Sequence, residues 1–399
     1  MVKQAGGRRS AGWPATLLLA ALATAGACGL AEVGLRVAGS GPVEFYRIDP
    51  VLGGSLVPGA EGWWTREGHA LVRINADGMR DRAHALPKPP DTLRIAVLGD
   101  SYAEAFQVPA EDAFWSVLER ELGACPALAG RRVEVLNFGV AGYGTAQELL
   151  MWRERAWRYQ PDVVVLAFFT GNDVRNNSRE LQGSSGRPYF VLEGNELVLD
   201  DRFARKFEVR WRNNPVGRAL DAVLLRSRLF ALASAARDAL RHRVEASGEV
   251  GSPAANELGL DAEIYRPPRD PAWQEAWRIS EALIQRMRDE VVARGARFQL
   301  VVLSNGIQVN PDPAERKRFA DSLGVDELFY PDDRLAAFAD AAGIPTLLLA
   351  PELRRSAEAD GRCLHGFEGG SPCTGHWNAV GHRAAGERIA RTLCERWER

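Results

Sequence analysis

Short apolar runs alternate with amphipathic stretches along much of the chain. The apolar runs are typical of strands covered on both faces of a parallel sheet, and they lie at residues 93–98, 133–138, 162–169, 298–303 and 345–349. Apolar positions at helical spacing predict helices at residues 111–122, 147–159, 273–294, 333–342 and 381–395. Strands that alternate with helices in this way predict a parallel sheet in a layered α/β fold.

The alternation stops between residues 175 and 270, and we interpret this region as an insertion or cap. It contains a hairpin pattern at 189–199 that turns at Gly194 and Asn195, a helical run at 219–243, and a small, polar stretch at 247–255 that predicts a loop. Before the first core strand, residues 37–91 form an extension that ends in a proline-rich segment. We therefore divide the chain into an anchor at 1–36, the extension at 37–91, and a main α/β domain at 92–399 that includes the insertion at 175–270.

The N-terminal segment has the pattern of a membrane anchor. Basic residues precede an uncharged stretch at 11–31, and about 21 residues at a helical rise of about 1.5 Å cross a bilayer core. Two alternatives are a signal peptide cleaved after the small residues 25–27 and lipid attachment at Cys28. We favour the uncleaved anchor, and all three alternatives place the remainder outside the cytoplasm. We expect a single-pass protein of the inner membrane with its main domain, residues 92–399, on the periplasmic side.

Composition limits the partners and the redox state. A formal charge of -2 over 399 residues lacks the basic excess of a nucleic-acid-binding surface, so we expect no nucleic-acid partner. Two of the five cysteines, Cys363 and Cys373, are spaced to close a small loop in an oxidising compartment, although two unpaired thiols fit the sequence equally. There is no Cys-x-x-Cys and no His-Glu-x-x-His, and we expect neither a metal nor a cofactor.

A serine lies where the first predicted strand ends. Ser101 follows Gly99 and Asp100, which places its hydroxyl at the carboxyl edge of the sheet, where α/β proteins bind ligands. A serine hydroxyl becomes a nucleophile only when a base within hydrogen-bond reach takes its proton. Taken alone, the triplet is more typical of a helix N-cap than of a nucleophile.

Two further polar blocks end the second and third predicted strands. Gly142 can bring its backbone N–H close to a substrate, and Asn172 can offer its side-chain amide. Acyl transfer needs such donors aimed at the developing oxyanion. Either block alone is explained by an ordinary turn, but two at successive strand ends indicate an oxyanion site beside Ser101.

A histidine near the C-terminus can supply the base. Of the six histidines, only His376 and His382 lie just after the last strand, at the start of the final helix. We assign His376 as the general base and expect His382 to pack or cap within that helix.

The four blocks together resemble the SGNH or GDSL hydrolase superfamily. The chain has Gly-Asp-Ser-Tyr, Asn-Phe-Gly-Val-Ala-Gly, Gly-Asn-Asp and His-Trp-Asn-x-x-Gly-His in the family's order, over about residues 92–174 and 297–395. The resemblance implies that Ser101 is the nucleophile, that Gly142 and Asn172 complete an oxyanion hole with the Ser101 N–H, and that His376 is the base. We expect a flavodoxin-like, three-layer α/β/α domain with a five-stranded parallel sheet in the order 2-1-3-4-5.

One family feature is missing. The family usually has an aspartate two or three residues before this histidine to orient its ring, and here those positions hold Thr374 and Cys373. Asp360, Glu368, a backbone carbonyl, or a Ser-His dyad without an acid are the alternatives. We favour Glu368, because the loop between the two cysteines can fold it toward His376.

The activity that the resemblance implies is hydrolysis of a carboxylic ester through an acyl-Ser101 intermediate. An exported, anchored enzyme meets envelope glycans, so we expect a small O-acyl group on a saccharide as substrate. The alternatives are an O-acyltransferase with the same site and a non-catalytic envelope protein that binds carbohydrate.

Overall fold

The structure is a computed structural model that describes residues 13–38, 41–248 and 261–398. The chain divides into two compact units. One comprises Met1–Glu44 with Ala219–Glu249, and the other comprises Phe45–Arg218 with Val250–Arg399. In the region predicted as a loop at 247–255, residues 247 and 248 end a helix, and the rest lies outside the described residues.

The strands are short outside the central sheet. In chain order they are β1 Tyr46–Asp49, β2 Gly53–Leu56, β3 Glu61–Trp64, β4 Ala70–Arg73, β5 Thr92–Gly99, β6 Arg132–Asn137, β7 Val163–Phe168, β8 Tyr189–Glu193, β9 Glu196–Asp200, β10 Arg297–Val302 and β11 Thr346–Leu348.

The helices are more numerous. In chain order they are α1 Trp13–Val37, α2 Ser101–Glu104, α3 Phe114–Gly123, α4 Thr145–Glu154, α5 Asp173–Asn177, α6 Arg179–Gln182, α7 Phe207–Asn213, α8 Pro215–Leu224, α9 Arg228–Gly248, α10 Pro271–Ala293, α11 Pro313–Leu323, α12 Tyr330–Ala342, α13 Ala350–Asp360 and α14 Ala379–Glu398.

The second unit is built on a five-stranded, fully parallel sheet. Its order is β11-β10-β7-β5-β6, which is the predicted order 2-1-3-4-5 read from the other edge. Every residue of β5 and β7 is buried, because these central strands are covered on both faces, as their apolar sequences predicted. The predicted α/β class, the five strands and their order are confirmed.

Helices cover both faces of this sheet. α3 and α14 pack on one face, and α4 and α10 lie on the opposite side. The prediction began the first of these helices at residue 111, but α3 begins at Phe114, since Ala110–Asp112 is a 3-10 turn and Ala113 is extended. A disulfide between Cys125 and Cys394, which the sequence analysis missed, ties the end of α3 to α14 across 269 residues.

Within the extension at 37–91, residues 46–73 form two antiparallel hairpins. β1 pairs with β2, and β3 pairs with β4 around a loop at residues 65–69. Trp64 and Phe45 pack their rings against Phe106, which follows α2. This aromatic contact fixes the β3–β4 hairpin beside the carboxyl edge of the sheet.

The insertion contains the predicted hairpin. β8 and β9 pair from Tyr189 with Asp200 to Glu193 with Glu196, so the turn falls at residues 194–195 as predicted. The single helical run predicted at 219–243 is wrong in detail. It is divided into α8 and α9, and α9 begins where Ser227 accepts a hydrogen bond from the Phe230 N–H.

In the first unit, α1 is a 25-residue helix near the N-terminus that is long and apolar enough to cross a membrane. Its large apolar side chains, such as Trp13, Leu18 and Leu22, are exposed. Among the described residues it is the one helix with these properties.

Candidate active site

The carboxyl ends of three adjacent strands bring the predicted blocks together. β5 lies between β6 and β7, so the segments that follow them share one edge of the sheet. Ser101 follows β5, Gly142 follows β6 and Asn172 follows β7. This is the edge at which parallel sheets place their ligands.

Ser101 is the first residue of α2, a single helical turn. Asp100 caps this turn by accepting a hydrogen bond from the Tyr102 N–H at 2.9 Å. The turn packs closely on the sheet, since a Cβ on Gly99 would lie 2.9 Å from the Cβ of Ala103. The N-cap interpretation of the Gly-Asp-Ser triplet therefore applies to Asp100 and leaves the hydroxyl of Ser101 available for chemistry.

His376 bonds to Ser101 on one side and to a carboxylate on the other. Its Nε2 lies 2.8 Å from the Oγ of Ser101, and its Nδ1 lies 2.5 Å from Oε2 of Glu67. The backbone N–H of His376 also donates to Oε1 of Glu67 at 2.8 Å. A carboxylate, an imidazole and a hydroxyl linked in this order can deprotonate the hydroxyl and stabilise the imidazolium that forms.

The predicted substitute for the missing aspartate is wrong. Glu368 is exposed, and Asp360 lies beside Arg362 at 3.7 Å, so neither orients His376. Glu67 comes instead from the loop between β3 and β4, 309 residues away in the chain. Sequence reasoning missed it because the extension carries no family motif, and the one available signal was the absence of an acid before His376.

The backbone next to His376 is shaped to receive Glu67. Gly375 has a φ of +79°, and a Cβ there would lie 2.3 Å from Oε1 of Glu67. Burial tends to raise the pKa of Glu67, but the hydrogen bonds and charge of His376 hold that pKa below its usual value. Glu67 therefore remains an anion beside the imidazole.

A second, buried histidine supports the loop that carries His376. Nδ1 of His365 lies 2.8 Å from the Gly375 carbonyl, and its Nε2 lies 3.2 Å from the Oγ of Ser304. Burial lowers the pKa of His365 to about 4, so its ring is neutral at neutral pH. A disulfide between Cys363 and Cys373, one of the alternatives left by the sequence, closes the same loop.

Asn172 lies beside Asp100. Its Nδ2 donates to Oδ2 of Asp100 at 2.9 Å, which leaves the second amide hydrogen for another acceptor. The turn that holds it is fixed by Asp173, whose Oδ2 accepts from the Phe169 N–H at 2.7 Å. Burial raises the pKa of Asp100 above its usual value, while the hydrogen bonds from Tyr102 and Asn172 oppose that rise.

Gly142 lies in the loop between β6 and α4, with a φ of +75° that favours glycine. Among the described residues, none apart from its chain neighbours has an atom within 4 Å of the position of a Cβ there, so the residue faces open space. In contrast, a Cβ on Gly139 would lie 2.5 Å from the N of Glu104, so the start of this loop packs directly on α2. The loop is thus anchored at one end and open at Gly142.

Several buried acids lie near the carboxyl edge. Burial raises the pKa of Glu104 to about 7, against its hydrogen bonds from Ala141 and Tyr46. Burial and neighbouring carboxyl groups also raise the pKa values of Glu148 and Asp173 well above normal. Within the described residues, no group of His, Cys, Asp or Glu side chains is arranged to hold a metal ion.

The remaining histidine of the last block has a packing role. His382 is buried in α14 and its Nδ1 accepts a hydrogen bond from the Phe114 N–H at 3.3 Å. Burial holds its pKa well below the usual value. It therefore packs α14 against α3, which is the packing role that we expected for it.

Comparisons with known proteins give structural matches alone. No family model and no curated protein sequence matches the chain. An acetyl xylan esterase, AlAXEase, aligns over 75% of this chain and all of its own, with 11% identity and a TM-score of 0.36. A lipase/acylhydrolase from Enterococcus faecalis covers 76% of this chain and 96% of its own, with 12% identity and a TM-score of 0.37.

A catalytic mutant of an acetylxylan esterase from Geobacillus stearothermophilus is also similar. It covers 76% of this chain and 94% of its own, with 12% identity and a TM-score of 0.35. Matches at this level carry no argument about chemistry.

Proposed function

We propose, taking this chain as a member of the SGNH/GDSL hydrolase superfamily, that it is a serine-dependent carboxylic ester hydrolase. The observation that carries the proposal is the continuous chain of hydrogen bonds from Glu67 through His376 to Ser101. A protein that only binds carbohydrate has no use for a carboxylate, an imidazole and a hydroxyl in this order. The four sequence motifs and the sheet order support the same assignment.

The mechanism follows from the positions of these groups. The Oγ of Ser101 attacks the ester carbonyl while Nε2 of His376 takes its proton, and Glu67 stabilises the imidazolium. The tetrahedral oxyanion accepts hydrogen bonds from the N–H groups of Ser101 and Gly142 and from Nδ2 of Asn172. The imidazolium then protonates the leaving alcohol, and a water molecule, deprotonated by His376, hydrolyses the acyl-Ser101 ester.

The backbone supports this oxyanion site. Within the described part of the chain, the N–H groups of Ser101 and Gly142 donate to no protein acceptor. An unpaired N–H beside a nucleophile is available to a substrate oxygen, whereas a paired one is not. Asn172 contributes the hydrogen that it does not donate to Asp100.

For location, we propose an inner-membrane protein held by α1, with the catalytic unit in the periplasm. The length and apolar sequence of α1 support the anchor. Two disulfides, Cys125–Cys394 and Cys363–Cys373, support an oxidising compartment. All five cysteines lie in the described part of the chain, and Cys28 in α1 is the one among them that forms no disulfide.

For the substrate, we propose a small O-acyl group, such as acetyl, on a saccharide. An enzyme anchored on the periplasmic side meets envelope glycans, and this location is the basis of the proposal. A preference for acetylated saccharides over long-chain acyl esters is the corresponding expectation.

The test is ester hydrolysis by the purified full-length chain in detergent. We expect wild type to hydrolyse aryl acetates and acetylated oligosaccharides, and Ser101→Ala to lose at least a thousandfold in kcat while it unfolds at the wild-type temperature. Adding a saccharide acceptor separates hydrolysis from transfer, because a transferase would pass the acyl group to the acceptor. Near-wild-type turnover by Ser101→Ala would reject the proposal.

A further inference from the structure

The loop that carries Gly142 has paired N–H groups on both sides of that residue. Phe138 and Val140 donate to carbonyls of β5, Gly139 donates to Oδ1 of Asn137, and Tyr143 donates to Val140. Gly144 donates to Oε1 of Gln147 at 3.1 Å. Between residues 138 and 144, all of which the structure describes, Gly142 has the one unpaired N–H.

Glu104 holds the residue just before Gly142. Its Oε1 accepts the Ala141 N–H at 3.0 Å, and its Oε2 accepts the Tyr46 hydroxyl at 2.8 Å. Glu104 is 2% exposed and lies on α2, three residues after Ser101. The single helical turn α2 carries Ser101 and, through Glu104, also holds the loop that carries Gly142. The positions of Ser101 and Gly142 are therefore linked.

Arg187 holds the peptide group that follows the Gly142 N–H in the chain. Its Nη1 donates to the Gly142 carbonyl at 2.6 Å, and its Nη2 donates to Oε1 of Gln147. The same Gln147 donates through Nε2 to the Pro188 carbonyl at 2.6 Å. Arg187 belongs to the insertion, just before β8, so the insertion contributes a contact to the candidate active site.

We propose that Glu104 and Arg187 are positioning residues that clamp the two peptide groups flanking the Gly142 N–H and aim that N–H at the oxyanion. The proposal rests on the proposed function, in which Gly142 binds the oxyanion. A glycine at positive φ with open space around it has wide backbone freedom. If its peptide groups are already fixed before the reaction, no conformational entropy is lost in ordering them as the oxyanion forms. A purely structural role for the two side chains would stabilise the fold without favouring the transition state.

Variants at both positions separate these roles. Arg187→Ala removes the donor to Gly142, and Arg187→Lys keeps a cation that can donate to the same carbonyl. Glu104→Leu removes the acceptor for Ala141, and Glu104→Gln keeps one. Arg179→Ala is the matched control, since Arg179 is an arginine of the same insertion that pairs with Asp200 at the surface.

We expect Arg187→Ala and Glu104→Leu to lower kcat at least tenfold with KM within about threefold of wild type. The affinity of an arylboronic acid, which forms a tetrahedral adduct with the serine, should fall by a similar factor. The Lys and Gln variants should recover much of the loss, and Arg179→Ala should match wild type. Wild-type kcat and boronate affinity in a folded Arg187→Ala would overturn the clamp.

A measurement without turnover separates failure of the clamp from failure of the esterase. Hydrogen–deuterium exchange of the peptide that covers residues 138–147 should be faster in Arg187→Ala than in wild type or Arg179→Ala. Unchanged exchange would contradict the clamp even in an active enzyme. If wild type hydrolyses no ester while exchange is still faster in Arg187→Ala than in wild type, the proposed function is rejected and the clamp remains a feature of the loop.

Glu104→Leu removes a buried side chain and can prevent folding. In that case the variants of the partly exposed Arg187 provide the test.

Discussion

Glu67 makes the shorter of the two hydrogen bonds that link Glu67, His376 and Ser101, and it comes from a part of the sequence with no family motif. Its two oxygens accept from the side chain and the backbone N–H of His376, so it fixes both the ring and the loop that carries it. Such an acid sets the imidazole tautomer and stabilises the imidazolium. We therefore expect activity to depend strongly on the Glu67 carboxylate.

Glu67→Gln should lower kcat by about a hundredfold to ten-thousandfold, because the amide cannot stabilise the imidazolium and favours the wrong tautomer. Steady-state kinetics with an aryl acetate measure the effect. Glu368→Gln is the matched control, since it makes the same change at an exposed glutamate eight residues before the same histidine in the sequence. Equal activity of the two variants would remove Glu67 from the catalytic chain.

Asn172→Ala tests the side-chain part of the oxyanion site. We expect a loss of about a hundredfold in kcat, which is typical for removing one such donor. Asn172→Asp should lower kcat at least as much, since a carboxylate has no N–H to donate to the oxyanion. A kcat unchanged by both substitutions would return Asn172 to the role of a turn residue.

The buried His365 should make the free energy of unfolding depend on pH. Its folded-state pKa of about 4 lies below the ordinary value of 6.5, so the unfolded chain binds the extra proton first as the pH falls. Its contribution to the free energy of unfolding is therefore intact above about pH 6.5 and falls by up to about 3 kcal/mol toward pH 4.

The comparison of wild type with His365→Gln isolates this effect, because the other titrating groups are present in both proteins. We expect the stability advantage of wild type, measured by denaturant unfolding, to shrink as the pH is lowered from 7 to 4. An advantage that stays constant over this range would mean that His365 does not titrate as its burial implies.

At the scale of elements, the two disulfides have different positions and should have different effects. Cys125–Cys394 joins the end of α3 to α14, far along the chain, and Cys363–Cys373 closes a short loop that ends three residues before His376. Long closed loops restrict the unfolded chain more than short ones.

Cys125→Ser/Cys394→Ser should therefore lower the stability by about 5 kcal/mol, while kcat measured on the folded protein stays close to wild type. Cys363→Ser/Cys373→Ser should lower the melting temperature less and kcat more, because the loop beside His376 is loosened. Thermal unfolding and kinetics on both double variants measure the two effects. The reverse ranking would contradict these roles.

The elements also show which parts of the site a sequence can predict. Ser101, Gly142 and Asn172 follow successive strands, and parallel topology places the ends of such strands together. The strand pattern therefore predicted that they share one edge of the sheet, whereas their roles came from the family resemblance. Glu67 lies in a hairpin loop between two four-residue strands, and no periodic pattern in the sequence predicts where such a loop packs. The contact of Arg187 with Gly142 depends on a side-chain direction within the insertion, which spacing does not determine.

At the scale of the whole molecule, the anchor can be tested by mass and solubility. We expect the mature chain to retain its N-terminal segment and to need detergent for extraction, because α1 is long and apolar enough to span a bilayer. Intact-mass measurement of the membrane-extracted protein gives the answer. A mature chain that begins near Cys28 and is released in soluble form would show cleavage instead.

The central claim is that Ser101 is a nucleophile activated by His376 and Glu67, and its reaction with a fluorophosphonate tests that claim most directly. Mass spectrometry of the digested protein shows which residue carries the adduct and how fast it forms. We predict one adduct, on Ser101, that forms rapidly in wild type and Glu368→Gln and much more slowly in Glu67→Gln and His376→Ala. An unlabelled Ser101, or equal rates in all four proteins, would contradict it.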